Sequence, residues 1–474
     1  MAILNQNMST LEGLADLMGV PVPALRLMTS ILLGFPLALV HRHCLYGKSA
    51  TLQHLFFITS GLSIGFWNYG WNSLHSAQAV CATYLILLVF GGTLTSTTIT
   101  FIFNMGYLLY GYWTTSTDVY DIVWTMPQCV LTLRLIGLAF NLWDGTKMDE
   151  SLSIYQKKVA LCTCPSFLEV AAYVYFPGSF LVGPQFSMRR YLDYVNGTLI
   201  ENGDDLRTSC LVAGIKRAIV GFIYVAFFQI GTIYVSDQYL LGDEYRQQNF
   251  FKKCFLIGLW GRINLYKYIS CWLITEGVCI TFGLPYNGRD KDGSPKWDGC
   301  SNVALLTFEN ATTFDHYIMS FNKNTNHWCA EYIYKRLKFL GSRIFSQVVT
   351  LLFLAVWHGF HSGYYLCFLM EFLIMYWEKD IGPVLMRHEK LQKCLKENLA
   401  LRVLVWVILK MYTFVFMGYA LIPFVLMSSS RYIPVFGSIY YCGHVLFLSY
   451  PLVAPFIKRT LKASVESRSR AHQE

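Results

Sequence analysis

Two histidines lie inside a stretch of the chain that is otherwise almost entirely apolar. Residues 346–379 read SQVVTLLFLAVWHGFHSGYYLCFLMEFLIMYWEK, with His358 and His361 near the centre. Ionisable groups at membrane depth are costly and usually face a cavity or a partner. Because an imidazole titrates near neutral pH, it can take a proton from a reacting hydroxyl, so this stretch is a candidate for general-base catalysis.

Packing is the competing explanation for these histidines, since a buried imidazole is more often a satisfied core residue than a catalyst. Trp357 supplies a rigid wall beside His358, and Gly359 allows close backbone approach. On one continuous helix His358 and His361 would share a face, so that one could be the base and the other its support. No HExxH motif or third ligand stands nearby, and we expect no metal site here.

A polar segment upstream offers a second candidate. Residues 320–328 read SFNKNTNHW and lead back into an apolar-periodic segment. The amide of Asn322 is the type of group that orients a substrate or stabilises an oxyanion. Asn is also a favoured helix N-cap, which leaves a purely structural role open. The chain has no GxSxG elbow, so direct transfer without a covalent intermediate is the simpler chemistry.

The composition places these candidates in a membrane. The chain has 474 residues, of which 54% are hydrophobic and only 14% charged, with a mean hydropathy of +0.39. A soluble domain usually carries about 25% charged residues. The 14 cysteines are scattered, which indicates buried thiols rather than a disulfide framework. The net charge of +9 is spread over loops and predicts anionic partners at a membrane surface, not nucleic acid.

Long apolar segments predict an all-α polytopic membrane protein of about eleven transmembrane helices, with re-entrant and interfacial helices in addition. The stretch 344–378 is long enough for two crossings broken near Gly359 and Gly363, whereas 164–184 holds three prolines and is expected to be re-entrant or broken. The other predicted spans are 24–40, 51–66, 79–95, 97–113, 123–143, 215–235, 254–283, 401–428 and 433–456.

Lysine and arginine positions orient this bundle. They concentrate in alternate loops and in the tail, which predicts a luminal N-terminus, a cytosolic C-terminus and an odd number of crossings. We expect one membrane domain over 1–474, with a polar N-terminus at 1–22, a cytosolic polar insert at about 285–342 and a basic cytosolic tail at 457–474.

Several motifs together resemble the membrane-bound O-acyltransferase (MBOAT) family. Asn322 is followed six residues later by Trp328, and His358 stands downstream in an apolar span, as in that family's signature. The stretches 133–140, 180–186 and 266–277 are also similar to family sequences, so the resemblance covers roughly residues 25–457. Phe321 departs from the pattern, since many members have Trp before the Asn.

The resemblance implies an acyltransferase, most similar to the lysophospholipid acyltransferase branch. It would transfer a fatty, polyunsaturated acyl group from acyl-CoA, a cosubstrate rather than a bound cofactor, to the sn-2 hydroxyl of lysophosphatidylcholine, lysophosphatidylethanolamine or lysophosphatidylserine. The implied catalytic residues are His358 and Asn322. Residues considered for substrate binding are His361, Trp328, Trp357, Lys267, Trp272, Glu276, Lys335 and Arg336.

Other expectations rest on the same resemblance. It implies the endoplasmic reticulum membrane as the location, although the C-terminus lacks a dilysine signal, and it allows a homodimer. Acylation of a sterol, diacylglycerol or protein by the same catalytic pair is the alternative activity. A transporter without chemistry is disfavoured, because matching Gly/Pro-interrupted short spans in two halves are not visible.

Overall fold

The computed structural model describes residues 10–117, 121–199 and 207–471. Within these ranges the protein consists of helices, and its only strand-like pairing is an isolated bridge between Arg289 and Pro295. The predicted all-α class is therefore confirmed. The first nine residues of the predicted N-terminal segment and the last three of the predicted tail lie outside the described residues.

The helices follow one another along the described residues, with long non-helical connections at 175–187 and 283–304. The first twelve are α1 Thr10–Met18, α2 Val22–Val40, α3 Ala50–Tyr69, α4 Leu74–Phe90, α5 Leu94–Thr115, α6 Thr125–Asp144, α7 Ile154–Val159, α8 Phe167–Val174, α9 Met188–Val195, α10 Arg207–Tyr234, α11 Asp237–Leu241 and α12 Asp243–Arg246. The remaining ten are α13 Phe250–Phe282, α14 Leu305–Glu309, α15 Phe314–Ser320, α16 Lys323–Cys329, α17 Arg343–His358, α18 Ser362–Met386, α19 Glu389–Glu397, α20 Leu399–Leu426, α21 Ser429–Ser438 and α22 Cys442–Ala471. π-Helical turns lie at His41–Leu45 and Ala330–Tyr334, and 3-10 turns at Gly70–Ser73, Asp149–Ser151 and Lys335–Leu340.

Several of these helices are apolar enough to cross a membrane. Among the described residues there are five such stretches, or six if the bent pair α21–α22 is one span. The five are Val22–Leu45, Ala50–Phe90, Thr125–Asp144, Ser209–Leu241 and Leu399–Leu426. The expected eleven crossings are not confirmed, and that number stays a prediction. One reason is α17, which has 16 residues, whereas a straight crossing needs about 20.

The chain divides into two compact units. The first comprises Met1–Tyr224 and Tyr268–Asn302, and the second comprises Val225–Lys267 and Val303–Glu474. The predicted polar insert at 285–342 is thus shared between units. In the second unit it forms α14 to α16, because its apolar residues recur at helical spacing and are buried, as Phe308, Phe314 and Trp328 are.

A buried arginine organises the first unit around the predicted break. After α8 ends, residues 175–187 run without helical structure, as the prolines predict. The guanidinium of Arg134, on α6, donates to the carbonyls of Tyr173, Val174, Ser179 and Pro184 at 3.0–3.3 Å. Irregular backbone at membrane depth needs such partners for its polar groups. Arg134 therefore stabilises the segment that sequence patterns mark as broken.

The second unit positions the histidine stretch through the close approach of α18 and α20. The amide of Gly363 donates to the carbonyl of Met427, just past the end of α20, at 3.2 Å. A Cβ atom on Gly363 would lie 1.9 Å from the carbonyl oxygen of Pro423. Only glycine allows this contact, so Gly363 lets α18 pack closely against α20. The break between α17 and α18 falls earlier, at Gly359.

Candidate active site

His358 is the last residue of α17, and the chain then turns sharply before α18. Gly359 has φ 126° and ψ −162°, a conformation that side-chain-bearing residues rarely adopt, and its amide bonds back to Ala355 and Val356. The expectation that His358 and His361 could share one helix face is wrong, because they lie on opposite sides of this break. His361 is instead the residue that precedes α18.

The hydrogen bond at one ring nitrogen assigns the tautomer of His358. Its Nδ1 lies 2.7 Å from the carbonyl oxygen of Leu354, one turn back on α17. A carbonyl can only accept, so Nδ1 carries the proton of the neutral imidazole. The lone pair is then on Nε2, the nitrogen that a general base would use. A hydrogen bond within α17 thus holds the imidazole of His358 in this orientation.

Aromatic rings enclose the imidazole of His358. The ring centroid of Trp357 lies 4.7 Å away, that of Tyr364 5.6 Å, that of Phe368 5.3 Å and that of Phe424 5.2 Å. His358 itself is half-buried rather than sealed. The site is therefore an apolar enclosure that leaves the imidazole partly exposed. Phe424 was missed in the sequence, because it comes from α20, far along the chain.

Asn322 adopts a left-handed backbone conformation directly before α16, with φ 48° and ψ 44°. It stands at the N-cap position, yet its side chain makes no capping hydrogen bond. The capping role considered for Asn322 is therefore wrong, although Asn is one of the few residues that tolerate this backbone. Asn326 supports the turn by donating to the carbonyls of Ile318 and Phe321, each at 3.0 Å. The Asn322 amide makes no hydrogen bond to any described residue, which leaves it available to a substrate.

Aromatic stacking joins the segment of Asn322 to the helix of His358. The indole of Trp328, at the end of α16, stacks on Phe353 of α17 with centroids 5.7 Å apart and an interplanar angle of 20°. Trp328 is buried, and so is Trp357 next to the histidine. Two of the three tryptophans considered for substrate binding, Trp328 and Trp357, are thus buried between or within these elements. Trp328 connects α16 to α17 through its contact with Phe353.

A carboxylate that sequence reasoning missed fixes the start of α15, the helix that precedes Asn322 in the chain. Both oxygens of Glu378, on α18, accept from the amide of Phe314 at 3.0 Å, at the first turn of α15. The hydroxyl of Tyr412, on α20, donates to the same carboxylate at 3.0 Å. A carboxylate is favourable at a helix N-terminus, where amides lack partners. Glu378 thereby ties α15 to α18 and α20.

The remaining residues considered for substrate binding in the second unit are three cations and His361. Lys335 forms an ion pair with Glu331 one turn away. Arg336 is half-buried, as is Lys267 on α13. The ring of His361 lies 5.9 Å from that of Tyr364, which also contacts His358. Tyr364 is thus the aromatic residue that both histidines share.

Two candidates, Glu276 and Trp272, belong to the first unit. The carboxylate of Glu276 pairs with Arg217, with 2.6 Å and 2.7 Å contacts to Nη2 and Nε, and accepts from the amide of Asn302 at 2.7 Å. Trp272 lies 6.1 Å from the ring of Tyr268. A buried ion pair therefore accounts for Glu276. Among the described residues no group of three His, Cys, Asp or Glu side chains could hold a metal ion.

Comparison with known proteins defines the class. The family model of MBOAT, the membrane-bound O-acyltransferase family, matches residues 109–422. Because this match covers more than half of the chain, the protein belongs to the membrane-bound O-acyltransferase family. The expected acyltransferase class is thereby confirmed.

Relatives that align over most of both chains show which members of the family this protein resembles. The chain is 44% identical to lysophospholipid acyltransferase 5 of Mus musculus over 95% of its own length and 92% of the relative's. It is 44% identical to lysophospholipid acyltransferase 5 of Drosophila melanogaster over 91% and 87%. The corresponding protein of Caenorhabditis elegans is 33% identical over 98% and 100%.

Proposed function

We propose that this protein transfers a fatty acyl group from acyl-CoA to the free sn-2 hydroxyl of lysophosphatidylcholine and related lysophospholipids. The observation that carries the proposal is the 44% identity, over nearly the whole chain, to proteins named lysophospholipid acyltransferase 5. The enclosure around His358 supports it, since an apolar wall beside one accessible basic nitrogen suits a fatty thioester and an alcohol. A polyunsaturated acyl chain and acceptors with choline, ethanolamine or serine head groups belong to the proposal.

His358 acts as the general base in this mechanism. Nε2 takes the proton of the acceptor hydroxyl while its oxygen attacks the thioester carbonyl. The new C–O bond forms, the C–S bond breaks, and the thiolate of CoA leaves with the proton returned by the imidazolium. The bond from Nδ1 to Leu354 holds the tautomer throughout. General-base assistance typically contributes about 10²–10⁴-fold to the rate.

Asn322 supplies the second catalytic group. Its unengaged amide donates to the developing oxyanion or orients the acceptor, a contribution of about 10²–10³-fold for one donor. Lys335 and Arg336 are proposed to meet the polyanionic part of acyl-CoA, and Lys267 and Trp272 to contact substrate. For Lys335 the neighbouring Glu331 weakens this role, because it partly compensates the charge.

The cellular setting is part of the same proposal. The protein would form one membrane domain in the endoplasmic reticulum, with eleven crossings, a luminal N-terminus and a cytosolic C-terminus, and it could assemble as a homodimer. The family and the apolar helices support a multi-pass membrane protein. The orientation rests on the lysine and arginine distribution.

A purified-enzyme assay tests the function. Radiolabelled acyl-CoA species of different chain length and unsaturation are offered with lysophospholipids, a sterol, diacylglycerol and a peptide. We expect label in diacyl phospholipid, with the highest turnover for polyunsaturated donors and lysophosphatidylcholine. Label in the sterol, diacylglycerol or peptide alone would establish the alternative acceptor class instead.

A further inference from the structure

Two cysteines of the second unit face each other from segments far apart in the chain. Cys254 lies in the second turn of α13, and Cys442 is the first residue of α22. Both are free, half-buried thiols in this structure, and each is the other's side-chain hydrogen-bond partner. Neither belongs to the site around His358 and Asn322.

Neighbouring contacts hold these two segments together independently of the thiols. The ammonium of Lys253 donates to the carbonyl of Ser438 at 3.1 Å. The ring of Phe250 lies 6.3 Å from that of Tyr440. The segments that precede the two cysteines are therefore already in contact, which keeps the start of α13 beside the turn before α22.

The turn that presents Cys442 is strained. Tyr440 and Tyr441 have φ values of 55° and 50°, and bulky side chains rarely adopt this left-handed conformation. The turn is closed by bonds from the amides of Tyr441 and Cys442 to the carbonyls of Phe436 and Ile439. Two successive residues in this region persist only where surrounding structure holds them. A covalent bond from Cys442 to α13 would supply such a constraint.

Sidedness follows from the charge around α20. The basic helix α19, with Lys393 and Lys396, precedes α20 and is expected on the cytosolic side. Because α20 crosses once, residues 427–441 emerge on the opposite, luminal side, and the contact with Lys253 puts Cys254 there as well. Disulfides persist in the lumen of the endoplasmic reticulum but not in the cytosol.

We propose that Cys254 and Cys442 form a disulfide bond that fastens the start of α13 to the turn between α21 and α22. This rests on the orientation given under the proposed function. The two thiols lose two protons and two electrons, an S–S bond forms, and a disulfide-bearing oxidant of the lumen is reduced to two thiols. The bond constrains the strained turn and leaves the acyl-transfer chemistry unchanged.

Differential alkylation of the full-length protein in intact microsomes tests this directly. Membranes are treated with N-ethylmaleimide without reductant, then reduced, labelled with a heavy maleimide and mapped by mass spectrometry. We expect Cys254 and Cys442 to carry only the heavy label, and a linked peptide pair to appear before reduction. Cys254→Ser and Cys442→Ser should each free the other thiol, whereas Cys394→Ser, at an exposed cysteine of α19, should leave the pair intact.

Stability and sidedness complete the test. Reductant should lower the unfolding midpoint of the wild type but not that of a Cys254→Ser, Cys442→Ser double variant. Alkylation of both wild-type thiols before reduction overturns the disulfide. If a membrane-impermeant maleimide reaches them only from the cytosolic side, the orientation fails too, whereas acyl transfer, assayed separately, decides the proposed function.

Discussion

The proposed chemistry depends on the surroundings of two polar side chains. The imidazole of His358 bonds to a carbonyl of its own helix, and Asn322 has a left-handed backbone. The two groups can therefore be tested separately by substitutions that change one property at a time.

Replacement of His358 should abolish transfer while the protein still folds. His358→Ala and His358→Gln both remove the basic nitrogen, and we expect turnover to fall by about 10²–10⁴-fold. His361→Ala should reduce it much less, because His361 lies beyond the break. Initial rates and thermal unfolding in detergent are measured together, and a greater loss from His361→Ala would reverse the assignment.

Replacement of Asn322 by two different residues separates its amide from its backbone. Asn322→Gly keeps the left-handed conformation and removes the amide, so we expect a turnover loss of about 10²–10³-fold with little change in stability. Asn322→Ala should in addition lower the free energy of unfolding by about 1–2 kcal/mol. Equal turnover of Asn322→Gly and wild type would show that only the backbone conformation matters.

At the level of elements, close packing and buried polar bonds decide where the site residues lie. The break between α17 and α18 is marked by Gly359, whereas Gly363 sets the distance between α18 and α20. Glu378 accepts from the first amide of α15, and Arg134 donates to carbonyls of the non-helical segment after α8. Each is a partner far along the chain from the segment it holds.

An added methyl group at Gly363 should displace the residues of the candidate site, although Gly363 itself has no proposed role in the reaction. Gly363→Ala would place Cβ 1.9 Å from the Pro423 carbonyl oxygen, so α18 must move. We expect a destabilisation of about 1–3 kcal/mol and reduced turnover. Gly382→Ala on the same helix is the matched control, because nothing lies within 4 Å of its Cβ position. Equal effects of the two variants would contradict the packing role.

Lysine should not be able to replace Arg134, because the guanidinium donates to four carbonyls at once. Arg134→Lys keeps the charge but cannot reach the four carbonyls together, and we expect the free energy of unfolding to fall by roughly 3 kcal/mol or more. Arg189→Lys, at a half-exposed arginine of α9, should change it by less than about 0.5 kcal/mol. Denaturation of both purified variants measures the difference. A wild-type midpoint for Arg134→Lys would show that the carbonyls find other partners.

At the scale of the whole molecule, the orientation of the chain in the membrane decides which face the candidate site opens to. We expect an odd number of crossings, which would place the termini on opposite faces with the C-terminus cytosolic. In sealed microsomes an epitope tag at the C-terminus should be digested by added protease, while one at the N-terminus should resist until detergent is added. Protection of the C-terminal tag would invert the orientation, and equal digestion of both would exclude an odd number.

The sequence alone indicated the class, the approximate extents of most long helices and the two candidate catalytic residues, whereas the predicted span 433–456 is divided by a bend between α21 and α22. Apolar runs and glycine or proline breakers are local signals, so the predicted span 401–428 closely matches α20 at Leu399–Leu426. The tautomer of His358 could in principle be anticipated, since its partner Leu354 lies one helical turn away. The break between His358 and His361 was likewise predicted from Gly359 and Gly363. What the sequence did not reveal was which side chains of other helices surround each histidine.

Only the tertiary structure decided which distant groups meet. Phe424 against His358, Arg217 against Glu276 and Trp328 against Phe353 each join residues from different helices. No spacing within one segment encodes such pairs, because they depend on how helices cross and on which side chains then face each other. The same reason explains Asn322, whose type suggested a cap, while its backbone and free amide became visible only in the folded chain.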